Sequence, residues 1–71
     1  KHETMYVESG VFHIDVVNGL DGSRVTHHLT RGDSLVIHPN TPHRIIALSV
    51  PSILVEFSTH HSDDDSYRIE L

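Results

Sequence analysis

The chain has 71 residues, ten acidic against five basic for a formal net charge of −5, and no cysteine. One small domain of this size buries a modest share of its surface and, without disulfides, leans on metals or partner chains for stability. The acidic balance argues against nucleic acid and against an anionic membrane surface, no apolar run approaches the roughly 18 residues of a spanning helix, and the expected location is the cytoplasm.

Hydrophobic residues recur with a period of two, the signature of half-buried strands. Thr4 to Glu8 reads as a short strand that ends at Ser9-Gly10. Val11 to Val17 alternates, with Phe12, Ile14 and Val16 on one face and His13 and Asp15 on the other. The segment NGLDGS, residues 18–23, carries Asn-Gly and Asp-Gly turn signals and predicts a hairpin connection. Arg24 to Leu29 returns, placing Val25, His27 and Leu29 on one side. A turn at Arg31-Gly32-Asp33 leads into a short apolar strand, Ser34 to Ile37. Residues 38–42, HPNTP, cannot lie in a central strand, because two prolines remove ladder donors. His43 to Leu48 and Ile53 to Phe57 are further strands, separated by a turn from Ser49 to Ser52. The polar run STHHSDDD, residues 58–65, reads as a loop, and Tyr67 to Leu71 as a last strand. Short strands at this spacing predict an all-β sandwich or small barrel in a single domain, 1–71. The chain opens almost directly inside a strand, which suggests an N-terminally truncated domain.

Eight of the residues are histidine, the commonest metal ligand and a group that titrates near neutrality. Most are expected on exposed strand faces. His43 differs, because Pro39 and Pro42 fix φ on its approach and Asn40 can take the left-handed conformation of a tight turn. It is delivered at a defined angle to the start of a strand. A ligand residue needs such presentation, although a tight hairpin that merely precedes a histidine has the same sequence.

GDSLVIHPNTPHR, residues 32–44, resembles the second motif of the cupin superfamily: Gly32 and His43 fall on its spacing, with His38 where proline is usual and Asn40 where glycine is usual. KHETMYVESG, residues 1–10, is similar to the second half of the first cupin motif, with Glu3, the Tyr6-Val7 strand and Gly10. The motif's paired histidines would precede Lys1, and His2 falls on neither position. From residue 42 onward the chain resembles the cupin domain of type II mannose-6-phosphate isomerases and related sugar isomerases, through Pro42-His43-Arg44, Ile53 to Glu56, Asp63 to Asp65, and Arg68 and Glu70.

The resemblance implies a double-stranded β-helix (jelly-roll) barrel. It also implies a divalent transition metal (Mn, Fe, Zn, Ni or Co), with Glu3 and His43 among its ligands. Parity agrees with inward ligands, since Glu3 shares a face with Met5 and Val7, and His43 with Ile45 and Ala47. Glu56 lies in an otherwise apolar strand and is the candidate proton carrier, its alternative being a solvent-facing position. Arg68 is the candidate for a substrate phosphate, its alternative a surface salt bridge. His27 is the member of the His27-His28 pair expected inside, and His38, His60 and His61 are expected in loops. The implied activity is metal-dependent aldose–ketose isomerisation of a sugar or sugar phosphate. Two alternatives stand beside it, a non-catalytic carbohydrate-binding module and an iron-dependent dioxygenase. A homodimer is the expected assembly, since a small β domain has sheet edges to cover.

Overall fold

The structure, a computed structural model, describes residues 2–59 and 64–71. Seven strands run in chain order: β1 Glu3–Ser9, β2 Val11–Val17, β3 Arg24–Thr30, β4 Ser34–Ile37, β5 His43–Ala47, β6 Ile53–Thr59 and β7 Asp64–Glu70. They form two antiparallel sheets, a four-stranded one in the order β4-β1-β6-β7 and a three-stranded one in the order β3-β2-β5. The fold class expected from period two is therefore met: the chain is all-β, with two sheets compatible with a small sandwich. Among the described residues no helix is long and apolar enough to cross a membrane.

Alternation fixes the two inner faces. Met5, Val7, Ile37 and Leu54 come from the larger sheet, Phe12, Ile14 and Leu29 from the smaller, and all seven are buried. Val16, Leu35, Ile45 and Ala47 pack around them. A one-residue slip of any strand would send its apolar set to the other side, so burial itself pins the register.

Connections are short and chemically specified. The β2–β3 hairpin closes through Asn18 N–H to Ser23 O (2.7 Å) and Gly22 N–H to Asn18 O (2.8 Å). Asn18 Oδ1 accepts from the Leu20 N–H and Asp21 Oδ1 from the Ser23 N–H, the Asx-turn bonds for which such residues are favoured in turns. Before β4, Asp33 Oδ2 accepts from the Thr30 N–H at 2.8 Å and from its hydroxyl at 3.1 Å. The turn is tied to β1 by Gly32 N–H to Val7 O and Val7 N–H to Asp33 O.

Gly10 carries the chain from one sheet to the other. Its φ is +86°, and a Cβ there would stand 2.8 Å from Ser52 Cβ. Beneath it lies a polar knot that reads in the sequence only as a turn. Ser49 Oγ accepts from the Val11 N–H (3.0 Å) and meets Ser52 Oγ at 2.9 Å. Ser52 is fully buried, and its backbone exchanges both hydrogen bonds with Leu71. The Val50–Pro51 peptide in this turn is cis.

The expected loop at 58–65 is shorter than its composition suggests. Ser58 pairs with Asp65 and Thr59 with Asp64, extending both strands of the β6–β7 hairpin. A ladder satisfies backbone groups whatever the side chains are, so tertiary pairing overrides the polar composition. His60, His61 and Asp63 lie outside the described residues.

Candidate functional site

The site is built from the inner face of the larger sheet, with the start of β5 on the inner face of the smaller one. Glu3 stands opposite Ser58 and Ile37, and Glu56 opposite Met5 and Tyr67. Glu3 and Glu56 are thus diagonal neighbours on one face of adjacent strands, and both are half-buried. Burial raises the Glu56 carboxyl above its ordinary value, the Glu3 carboxylate raises it further, and the His43 imidazole opposes the rise. Glu3 and His43 each act on Glu56 through space. Ser58, beside them on the same face, has a buried hydroxyl oxygen with no hydrogen-bond partner.

His43 is held as its loop chemistry predicts. Asn40 has φ +58°, the left-handed conformation expected of it. The His43 ring turns back so that Nδ1 lies 3.0 Å from Thr41 O. A carbonyl only accepts, so Nδ1 carries a proton in this hydrogen bond. Metal-ligating and proton-accepting histidines are commonly fixed in this way. His43 pairs with Val16 on β2 and lies at the exposed rim.

Two open clefts flank this rim. One, of ≈ 370 Å³, includes Val16, Val25, His27, His38 and Thr41 in its wall. The other, of ≈ 180 Å³, is lined by Asp15, Val17, Arg24, Pro42, His43 and Arg44. Neither is an enclosed barrel lumen.

Comparison with known proteins finds no matching family model, no matching curated protein and no matching solved structure. Residue chemistry alone therefore supports a reading of the site.

Glu3 and His43 are donors of the chemistry a divalent transition metal takes, a carboxylate and an imidazole. Among the described residues no group of three or more His, Cys, Asp or Glu gathers as a metal site, so these two do not by themselves make a complete one. Arg68 is not gathered with them. It projects from the opposite face of the larger sheet, where Nη2 and Nη1 hold both Glu8 oxygens at 2.8 and 3.1 Å and Nε reaches Glu70 at 3.2 Å. The salt-bridge alternative describes its surroundings, with Glu8 as the main partner.

The other histidines divide by parity. His27 is on the inner face and half-buried, and His28 is exposed. His28 Nδ1 meets His13 Nε2 across the outer face at 2.9 Å. His38 follows β4 in a loop, its ring set edge-on against His2. What the sequence missed is Asp15. An acidic residue at an outer-face position reads as solvated, yet it is 8% exposed. Its Oδ1 accepts from Thr26 Oγ1 at 2.7 Å and its Oδ2 from Arg44 Nη2 at 2.8 Å. Cross-strand register was the missing signal, because it sets Thr26 and Arg44 on either side of Asp15.

Proposed function

We propose that this chain is a cupin-type domain that isomerises a small sugar or sugar phosphate in the cytoplasm by moving a proton between neighbouring carbons. The observation that carries this reading is Glu56, a half-buried carboxyl raised by burial and by Glu3 with the His43 imidazole nearby. A carboxylate shifted toward neutrality is a better base at neutral pH than an ordinary one. In its ionised form Glu56 takes the C2 proton of an open-chain aldose and returns it to C1 as a second proton passes from O2 to O1, giving the ketose. Glu3, the His43 ring and the Ser58 hydroxyl would hold substrate oxygens. Glu3 and His43 would also be the chain's ligands to a divalent metal, which polarises the sugar carbonyl when bound. The paired histidines that the cupin resemblance puts before Lys1 would be the other ligands.

The test is solvent-deuterium incorporation. The wild-type protein, with any residues that precede Lys1, should with Mn²⁺ and an aldose or aldose phosphate place deuterium on the sugar and release ketose. Glu56→Gln should slow exchange by at least about 10²-fold, the usual worth of a positioned acid–base group, while sugar binding persists. Binding without exchange in the wild type would select the carbohydrate-binding module instead, a reading favoured by the unpartnered Ser58 hydroxyl beside two carboxylates, since such groups hold sugar hydroxyls without chemistry. Oxygen uptake with Fe²⁺ would select the dioxygenase.

A further inference from the structure

Two of the eight histidines meet on the outer face of the smaller sheet, away from the inner-face residues of the proposed site. His13 on β2 stands directly opposite His28 on β3. Odd-numbered residues of β2 turn their backbone bonds toward β5: Val17 N–H donates to Pro42 O, and Val11 O accepts from the Leu48 N–H. His13 and His28 are therefore a non-hydrogen-bonded pair, in which opposite Cα atoms stand only about 4.5 Å apart and side chains are closest. The ladder runs without a register shift from Val11–Thr30 to Val17–Arg24, so two regular strands hold the pair.

This placement brings two ring nitrogens together. His13 Nε2 lies 2.9 Å from His28 Nδ1, with ring centroids 5.1 Å apart and planes at 68°. Two neighbouring ligands at about 2.0–2.1 Å from a metal hold their nitrogens about 2.9 Å apart at a right angle, and about 3.4 Å apart at a tetrahedral one. The observed spacing matches square-planar or tetragonal geometry, which with nitrogen and oxygen ligands is that of Cu²⁺ or Ni²⁺. Binding needs a lone pair on both nitrogens. The ring that donates in the imidazole–imidazole bond takes its other tautomer, its proton passing to the far ring nitrogen, so the charge of the pair is unchanged.

The surroundings admit a cation. His28 is exposed and His13 half-buried. Asp33 stands nearby, its carboxyl lowered chiefly by hydrogen bonds from Thr30 and also by His28. Arg44, the diagonal neighbour of His13, is paired with Asp15 at 2.8 Å. Among the described residues no group of three or more His, Cys, Asp or Glu gathers, so water would fill the remaining positions. His2 and His38 also approach, at 3.1 Å, but both lie outside the strands and lack the rigid presentation that a ligand pair needs.

We infer that His13 and His28 form a two-histidine chelate for Cu²⁺ or Ni²⁺ on the outer face of the smaller sheet, separate from Glu3 and His43. The inference does not rest on the isomerase reading. Because only the paired strands bring these nitrogens together, bound metal ties β2 to β3 and stabilises the folded chain.

Titration with Cu²⁺, followed through paramagnetic broadening of the histidine ring signals, tests this directly. The His13 and His28 signals should broaden together. His28→Ala, a change at an exposed position, should weaken metal binding at His13 by at least about 10-fold, because the second imidazole binds intramolecularly. Ni²⁺ should raise the melting temperature of the wild type and not that of His28→Ala, whose melting without metal shows that it folds. His38→Ala and His43→Ala should leave the broadening of His13 and His28 unchanged. Two outcomes would overturn the inference: a His13 signal that broadens in His28→Ala at the same Cu²⁺ concentration as in the wild type, or broadening of His13 and His28 that disappears in His43→Ala.

Discussion

At the residue scale, three positions hold their neighbours by different physics. Gly10 pairs a left-handed φ with a close approach to buried Ser52. Gly10→Ala therefore combines backbone strain with overpacking and should cost at least about 2 kcal/mol, read as a lower urea midpoint. Asp15 and Glu56 make opposite contributions to pH dependence. The Asp15 carboxyl is lowered from 3.8, chiefly by Thr26 and then by Arg44. Its stabilising contribution is present above that ordinary value and fades as pH falls through the lowered one. The Glu56 carboxyl is raised from 4.5, chiefly by burial. The folded chain then holds that proton more readily than the unfolded chain, so its contribution is complete below 4.5 and declines as pH rises through the higher folded value. Thermal melts across pH should show Asp15→Asn losing stability at neutral pH and converging on wild type in acid. Glu56→Gln should instead gain stability at neutral pH, where a site carboxylate is held at some cost to the fold.

At the element scale, the loop from His38 to Pro42 shows how local sequence aims a side chain. Asn40 at φ +58° turns the chain, the prolines restrict its approach, and the Thr41 carbonyl then captures His43 Nδ1. Asn40→Ala should cost about 1 kcal/mol for the Cβ strain of a left-handed residue, while Asn40→Gly should stay within a few tenths. A denaturation series that ranked Ala above Gly here would show that this turn does not depend on its backbone conformation. The β6–β7 hairpin teaches the complementary lesson. Its polar ends, Ser58-Thr59 and Asp64-Asp65, are strands because they pair with each other, and no single-strand pattern of hydrophobicity records that.

At the scale of the whole molecule, two thin layers leave open edges and faces. Described residues span about 33 × 33 × 16 Å, so each sheet covers one side of the other and little else. On the outer face of the larger sheet Tyr6, Val36 and Phe57 are 39, 52 and 45% exposed, grouped around Thr4 by register. Such a patch on a small β domain is suited to a second chain, and the homodimer stands as a proposal. Sedimentation equilibrium should give a dimer at micromolar concentration and a monomer for Phe57→Lys. A wild-type chain that sediments as a monomer throughout would end that proposal.

Period-two alternation by itself determined the class of fold, six of the seven strand positions to within a residue or two, and the inward parity of Glu3 and His43, while the residue type of Asn40 determined its left-handed turn. Each of these is a local property, set by side chains that alternate across a pleat or by the φ a residue tolerates. Only the tertiary structure decided which strands pair and in what register. That pairing set Glu56 diagonal to Glu3, and the packing of one sheet on the other let the His43 imidazole act on Glu56. It also buried Asp15 between Thr26 and Arg44, brought Arg24 to the same cleft, and carried Arg68 to the far face beside Glu8. Electrostatic neighbourhoods arise between residues far apart in sequence, and the order of strands in a sheet is what makes them neighbours.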